Sequence, residues 1–133
     1  MAQPQIIVDS NIVIYSIEPQ YQFLRNWMLS RLVAVSEISR LEVLGFHNLT
    51  PYAEQELTQV FQQVAVLPLL PIIVDRAIVL RQTKKMSVGD ALIAATGLEH
   101  QLKLVSRNKN DFAWISGLQV FNPFDPADFQ QIV

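Results

Sequence analysis

Apolar and polar residues follow two spacings along this chain. Short β-branched runs are typical of buried strands, whereas apolar residues three or four positions apart are typical of helices. The first run, "QIIVD" at residues 5–9, is typical of a buried strand that ends in a polar turn. The predicted strands are 5–9, 32–36, a strand within 66–74, 103–106 and 118–121, and the predicted helices are 10–17, 22–31, 37–48, 51–65, 75–85 and 87–101.

This alternation predicts an α/β sandwich with a mostly parallel sheet of about five strands. The chain has 133 residues and no long linker, so we expect a single domain over 1–133. In such sheets, ligands bind outside the carboxyl ends of the strands. The polar residues that follow the predicted strands are Asp9-Ser10-Asn11, Ser36-Glu37, Asp75-Arg76 and Ser106-Arg107-Asn108.

Two octads of the chain nearly repeat each other, "IIVDSNIV" at 6–13 and "IIVDRAIV" at 72–79. An aspartate between a strand and a helix is most commonly an N-cap. Asp9, however, is followed by two small polar residues that leave its carboxylate open to a cation. Asp75 is followed by Arg76 and an ordinary amphipathic pattern. We therefore predict that Asp9 is a metal ligand and that Asp75 is an N-cap.

Glu42 and Asp90 each have a structural and a functional interpretation. The stretches "SRLE" at 39–42 and "SVGD" at 87–90 both fit the capping-box pattern. If the third helix begins near Ser36, Glu42 lies one turn further in, on an apolar stripe. A carboxylate there is costly to bury unless it is paired or metal-bound. Asp90 belongs to an almost entirely apolar helix, which predicts deep burial.

Composition limits the chemistry. The chain has no cysteine, which removes disulfides, thiolate catalysis and Cys-based zinc sites. No Gly-rich phosphate loop or Ser-His-Asp set competes with the carboxylates. Oxygen ligands without soft donors suit Mg²⁺ or Mn²⁺, and phosphoryl transfer is the usual chemistry of such a site.

Charge and hydropathy indicate where the protein works. The net charge of −2 argues against a general nucleic-acid coat protein, although an acidic nuclease can still hold a local basic path. The basic stretch "RQTKK" at 81–85 is interpreted as a solvated helix face. We expect neither a signal peptide nor a membrane helix, because Asp9 interrupts the first apolar run and two prolines interrupt the longest one. A cytoplasmic protein is therefore expected.

Four stretches together resemble a known family: "IIVDSNIVIY", "ISRLEVLGF", "SVGDALIAATGLEHQLKLVSRNKNDF" and "ISGLQVFNP". The third is the most specific, with an Asp-Ala-x-Ile-Ala-Ala-Thr helix, a strand, then Ser-Arg-Asn and Asp-Phe. Over essentially its whole length the chain resembles a PIN-domain ribonuclease, closest in pattern to the VapC-type toxins of bacterial toxin–antitoxin pairs. The resemblance implies a PIN-like three-layer α/β/α sandwich with strand order 3-2-1-4-5.

The resemblance also implies an acidic site. Its carboxylates would be Asp9, Glu42 and Asp90, completed from the 108–111 turn. The family often has aspartate where this chain has Asn108, so Asp111 is the better candidate for the fourth position. Asp9, Asp90 and Asp111 would hold one or two Mg²⁺ or Mn²⁺ ions, and Glu42 would bind the ion or its water. The supporting residues would be Ser10, Ser106 and Asn108.

The implied reaction is hydrolysis of RNA to a 5′-phosphate and a 3′-hydroxyl, with a cognate antitoxin and a second copy of the chain as partners. The candidates for gripping the RNA backbone are Arg25, Arg31, Arg40 and Arg107. Large apolar residues that could serve the homodimer are Phe23, Trp27 and Phe61, although each could simply fill the core.

Two other functions stay open from the sequence. A phosphatase with an N-terminal aspartyl nucleophile would also begin with a strand and an aspartate, but it needs a second aspartate where this chain has Asn11. A PIN-fold binding module without a metal is the other. The retained Asp9, Glu42 and Asp90 argue against it, and Asn108 leaves it some room.

Overall fold

The β-branched runs form one sheet in the computed structural model, which describes residues 3–133. The strands are β1 (Ile6–Val8), β2 (Val33–Ser36), β3 (Ala65–Leu67), β4 (Lys103–Val105) and β5 (Val120–Phe121). All neighbouring strands are parallel, in the order β3-β2-β1-β4-β5. The predicted α/β sheet and its order are therefore confirmed. The order reverses between β1 and β4, and this switch point is where a ligand crevice is expected.

Residues 3–133 contain seven α-helices, six of them between strands and the seventh after β5. They are α1 (Ser10–Ser16), α2 (Gln22–Ser30), α3 (Glu37–Leu44), α4 (Pro51–Gln63), α5 (Pro71–Thr83), α6 (Val88–Glu99) and α7 (Pro126–Phe129), with 3₁₀ turns at Pro19–Tyr21 and Lys109–Asp111. Helix α3 ends before Gly45 and is therefore shorter than predicted. Helix α7 was not predicted. Asp125 is its N-cap, and the Asp125 side chain accepts a hydrogen bond from Ala127 N–H. None of the helices in this part of the chain is long and apolar enough to cross a membrane.

The two faces of the sheet bury separate cores, because alternate residues of a strand point to opposite faces. Ile6 and Val8 of β1 pack with side chains from α1, α2 and α4. Ile7, between them, packs with side chains from α6 and from the segment before β5. Helix α5 adds Ile73 and Ala77 to a third cluster against α6. This arrangement forms the expected three-layer α/β/α sandwich.

The structure contradicts the prediction that Asp75 is an N-cap. Helix α5 begins at Pro71, with Leu70 as its N-cap, so Asp75 lies on an exposed position inside the helix. Proline suits the first helical position because its missing N–H has no partner there. The strand predicted within 66–74 is only β3, and the rest of that apolar run belongs to the loop and to α5. Short apolar runs do not distinguish a buried strand from a buried helix.

We expect Asp75→Ala to change the free energy of unfolding by no more than about 0.5 kcal/mol, since Asp75 is exposed and caps nothing. The matched comparison is Thr50→Ala, because Thr50 Oγ1 does cap α4, accepting from Ala53 N–H at 3.1 Å. That variant should lose about 0.5–2 kcal/mol. Urea titration of both variants measures the difference, and a larger loss for Asp75→Ala would contradict the assignment.

Candidate active site

Asp9 lies at the carboxyl end of the central strand and begins α1. Its backbone N–H donates to Val105 O of β4 at 3.2 Å, which places it at the switch point. Its Oδ1 accepts from Ile12 N–H at 3.0 Å. Asp9 is therefore an N-cap, and the same carboxylate remains a candidate metal ligand, since the N-cap bond uses only Oδ1. Only 4% of the residue is exposed.

Burial destabilises the charged form of Asp9. Desolvation, with smaller contributions from the charges of Asp90 and Glu42, raises the pKa of its carboxyl to about 6. Interaction with the hydroxyl of Ser106 and the Ile12 N–H opposes this rise. Ser106 is fully buried, and its Oγ also accepts from Asn108 N–H at 3.0 Å. A nearby cation would offset the cost of burying this charge.

Glu42 is brought to the same place by α3, but it is exposed, so the expectation that its carboxylate is buried on an apolar stripe is wrong. Ser36 caps this helix by accepting from Ile38 N–H, so Glu42 lies in its second turn and the capping-box interpretation of "SRLE" is wrong. Ser10 Oγ donates to Glu42 Oε1 at 2.8 Å. It is also hydrogen-bonded, at 2.9 Å, to the hydroxyl of the buried Ser39. These hydroxyls orient the carboxylate. Ser39 had no predicted role beyond a cap.

Asp90 stands in the first turn of α6, where Ser87 forms the N-cap half of the predicted capping box, and it is half-buried, not deeply buried as its apolar helix predicted. Its backbone N–H donates to Ser87 Oγ at 3.1 Å. Desolvation raises the pKa of the Asp90 carboxyl, and the charges of Asp111 and Glu42 add to this effect, while Ser87 lowers it. The residue before it, Gly89, is buried against Glu42, whose carboxylate occupies the space that a Cβ would need.

The three carboxylates of Asp9, Glu42 and Asp90 line one cavity of about 180 Å³. The other lining residues are Ser10, Asn11, Ile14 and Val43. None of these seven lining residues is basic, so the negative charges face one another without compensation. The cavity lies just beyond the carboxyl end of β1, as the strand-end rule predicts.

The 108–111 turn approaches this site from the side of Asp90. Asp111, exposed at the end of the 3₁₀ turn, shares with Asp90 a second, larger cavity. Its charge raises the pKa of Asp90. Asn108 is exposed and lines neither cavity. Of the two candidates in this turn, Asp111 is the one that shares a cavity with Asp90 and acts on its charge, and it remains our candidate for the fourth carboxylate.

The four arginines proposed to grip RNA do not line either cavity. Arg25 pairs with Glu56 at 2.7 Å, and Arg40 lies 3.7 Å from Glu37. Arg31 Nη2 donates to a backbone carbonyl near the C-terminus at 3.3 Å. Arg107, directly after Ser106, stacks over Phe124 with its guanidinium 4.2 Å from the ring centroid.

The acidic residues fit a hard divalent cation. Among residues 3–133, no three carboxylate or imidazole groups are close enough together to ligate one ion directly. Mg²⁺ does not require that, because it keeps several waters and binds through one or two carboxylates together with substrate phosphate. The site supplies oxygen donors alone, and a buried carboxylate whose charge is destabilised. This donor set suits Mg²⁺ or Mn²⁺.

We expect Asp9→Asn to stabilise the metal-free protein in a pH-dependent way. The pKa of Asp9 is raised on folding, so its contribution to stability is fully present below about pH 4 and is lost as pH rises through about 6. The advantage of Asp9→Asn over wild type should therefore grow by about 2–3 kcal/mol between pH 4 and pH 7.5. Urea unfolding in EDTA measures it, with the exposed Asp75→Asn as control; a difference independent of pH would contradict the buried charge.

Comparison with known proteins agrees with the fold. The PIN domain family model matches residues 6–118. A toxin–antitoxin complex from Klebsiella pneumoniae contains a chain 31% identical, covering 90% of this chain and 98% of that one, with a TM-score of 0.71.

More distant structures share the fold. VapBC2 from Rickettsia felis, bound to a DNA fragment from its promoter, is 19% identical with a TM-score of 0.73, covering 88% of this chain and 97% of that one. VapC20 of Mycobacterium tuberculosis, a sarcin–ricin-loop-cleaving toxin, is 14% identical with a TM-score of 0.59, covering 81% and 92%. No significant match was found among curated protein sequences. The family model that matches residues 6–118, together with the parallel sheet, shows that the chain belongs to the PIN-domain family.

Proposed function

We propose that the protein is a Mg²⁺- or Mn²⁺-dependent endoribonuclease and the toxin of a type II toxin–antitoxin pair. The observation that carries this proposal is the convergence of Asp9, Glu42 and Asp90 on one cavity with no basic residue in its lining. Carboxylates gathered around the buried Asp9 repel one another, which is unfavourable for folding, and a divalent cation that binds a phosphodiester substrate would offset this repulsion. Membership of the PIN-domain family, and the resemblance to a toxin–antitoxin chain, support the same reaction.

The residues would divide the work by their surroundings. Asp9 and Asp90, with Asp111 beside Asp90, would hold the cation. When bound, the cation supplies Lewis acidity for the attacking water and neutralises charge on the scissile phosphate. Glu42 would bind the ion or accept a hydrogen bond from that water, in an orientation held by Ser10. Attack of water on phosphorus would break the bond to the 3′ oxygen, which takes a proton. The products would be a 5′-phosphate and a 3′-hydroxyl.

We expect RNA cleavage to require Mg²⁺ or Mn²⁺, to stop in excess EDTA, and to be abolished by Asp9→Asn. The matched control is Asp75→Asn, which makes the same chemical change on the exposed face of α5 and should cleave like wild type. Gel analysis of end-labelled RNA measures cleavage, and the end groups identify the 5′-phosphate. Cleavage that persists in EDTA, or an active Asp9→Asn, would contradict the proposal.

The same variants extend the test into cells. Induced expression of wild type and Asp75→Asn should arrest bacterial growth, and Asp9→Asn should not. We propose a small antitoxin as the protective partner, whose tail covers the acidic cavity. Growth unaffected by folded, metal-bound wild-type protein would show that the chain is not a toxin. Folded protein that neither binds a divalent metal nor cleaves RNA would favour the metal-free binding module instead.

We also propose that the protein is a homodimer. Two of the residues that suggested a dimer, Trp27 and Phe61, are in fact part of the protomer's own core. Trp27 and Phe61 are buried in the core, and Trp27 Nε1 donates to Ile132 O at 3.1 Å. Phe23 is 40% exposed and packs edge-on against Phe124. Exposed apolar side chains lie instead along α5: Ile72, Ile78 and Val79.

Light scattering should therefore give twice the chain mass of 15.1 kDa. Val79→Glu should shift the mass toward that of the monomer, because it puts a charge on the apolar face of α5. Tyr52→Glu changes another exposed apolar residue, on α4 on the opposite face of the sheet, and should leave the dimer intact. A wild-type mass of 15.1 kDa at micromolar concentration would contradict the dimer.

A further inference from the structure

The last segment of the chain, residues 122–132, packs beside the turn that follows β4. We call this segment the C-terminal strap. It begins directly after β5, and near its end Ile132 O accepts a hydrogen bond from Trp27 Nε1 at 3.1 Å. Phe129 lies edge-on against the same indole. The strap is therefore fixed to the core of the protein independently of the turn.

Lys109, the first residue of the 3₁₀ turn after β4, forms an ion pair with the strap. Its Nζ donates to Asp128 Oδ2 at 2.9 Å. The same oxygen accepts from Asn122 N–H at 2.9 Å, so the strap itself holds this carboxylate in place. The Asn122 N–H, and after it the Lys109 ammonium, lower the pKa of the Asp128 carboxyl, although only 8% of the residue is exposed. Lys109 therefore pairs with a carboxylate that is both fixed and charged.

Arg107 fastens the same turn to the strap at a second point. Its guanidinium lies 4.2 Å from the ring centroid of Phe124 and 5.3 Å from that of Tyr15. A cation over an aromatic ring is attracted within about 6 Å of the centroid. The Phe124 backbone N–H donates to Asn122 Oδ1 at 2.9 Å, which fixes the start of the strap. Two basic side chains, one on each side of Asn108, therefore hold the turn.

Asp111 ends this turn beside the proposed metal site, where it shares a cavity with Asp90. Within residues 3–133 its carboxylate forms no ion pair. Its backbone N–H donates to Asn108 O at 3.0 Å, and Lys109 stands two residues before it in the same turn. The place of the Asp111 carboxylate is therefore set by the backbone of the turn, which Lys109 fastens to the strap.

We propose that Lys109 is a positioning residue: by pairing with Asp128 it fastens the 106–111 turn to the C-terminal strap and so holds Asp111 beside Asp90 for the divalent cation. The proposal rests on the metal-dependent ribonuclease function proposed above. Lys109 lines neither cavity, so it acts through the turn and not on the cation or the RNA. The family model ends at residue 118 and does not include its partner Asp128.

The charge of Lys109 alone would have the opposite effect. A positive charge near the site repels Mg²⁺ or Mn²⁺, so its removal would strengthen metal binding if only the electrostatic field mattered. Removal of the Asp128 charge would weaken metal binding. A positioning role predicts instead that both changes weaken it, because either one unfastens the turn. The direction of the Lys109 effect therefore separates the two explanations.

Isothermal titration calorimetry of the full chain with Mn²⁺, in the absence of RNA, measures this direction. Lys109→Met and Asp128→Asn should each weaken Mn²⁺ binding about tenfold, the lower end of what partners beyond the ligands contribute. The double variant should bind no more weakly than the weaker single variant, because both changes remove the same contact. Lys109→Arg keeps the charge and should bind within about twofold of wild type.

The matched control is Arg76→Met. Arg76 pairs with Glu99 at 2.8 Å, at the opposite end of α6 from Asp90. Its side chain is 47% exposed, against 43% for Lys109, so the two changes break ion pairs of similar length and exposure. Arg76→Met should leave Mn²⁺ binding unchanged, and thermal melts show that the variants are folded.

RNA cleavage provides a second measurement. In Lys109→Met the Mg²⁺ concentration that gives half-maximal cleavage should rise by the same factor as the Kd for Mn²⁺. The KM for RNA at saturating Mg²⁺ should change by less than about twofold, because Lys109 lines neither cavity. A residue that gripped a phosphate would instead raise the KM and leave Mn²⁺ binding in the absence of RNA unchanged.

Each outcome decides the proposal. Stronger or unchanged Mn²⁺ binding by folded Lys109→Met, a loss equal to that in Arg76→Met, or fully additive effects in the double variant would overturn it. A raised KM with unchanged Mn²⁺ binding would assign Lys109 to the RNA instead. The expected changes in Mn²⁺ binding, in a protein that cleaves no RNA, would refute only the ribonuclease function. Metal-dependent cleavage by a wild type whose Mn²⁺ binding ignores Lys109→Met would refute only this inference.

Discussion

The burial of one carboxylate, Asp9, is the constraint on which the rest of the site depends. It directly follows the central strand, so neighbouring strands surround it and water reaches it poorly. The fold gives it a backbone N–H and a serine hydroxyl, but it also places two further carboxylates nearby. A sequence selected for stability alone would not assemble like charges at this point. Such local departures from the rules of stable folding are expected at functional sites.

Helix α6 connects the core to the chemistry. Its small residues, such as Ala91, Ala94 and Ala95, are fully buried and let the helix pack closely on the sheet and on α5. Its first turn carries Asp90, where the helix dipole favours a negative charge. The same residue lines both the acidic cavity and the larger cavity that Asp90 shares with Asp111. The position of α6 therefore sets the spacing of the carboxylates on both sides of Asp90.

The sequence predicted those features that depend on neighbours in the chain. Alternation of strands and helices was enough to predict the parallel sheet, and the strand-end rule placed Asp9 among four groups of candidate residues. Helix α5 was placed four residues too late, because an apolar run with two prolines fits a strand as well as a helix. The larger cavity beside Asp90, which Lys84 and Trp114 also line, was missed for a different reason. Lys84 and Trp114 are thirty residues apart, and no periodicity in the sequence shows that they meet.

Gly89 has a consequence for how the site responds to its solution. The Glu42 carboxylate occupies the space that a Cβ at position 89 would need, and Glu42 forms no ion pair within residues 3–133, so its place beside α6 depends on close contact and not on charge pairing. Dissolved ions screen attraction between charges over a distance of about 8–10 Å at ordinary ionic strength, but they do not change van der Waals radii. Salt would therefore weaken the capture of a polyanion from solution while leaving the spacing of the carboxylates unchanged. Because residue 89 has no side chain, the Glu42 carboxylate keeps its place at any salt concentration, whereas the attraction of the site for distant charges depends on salt.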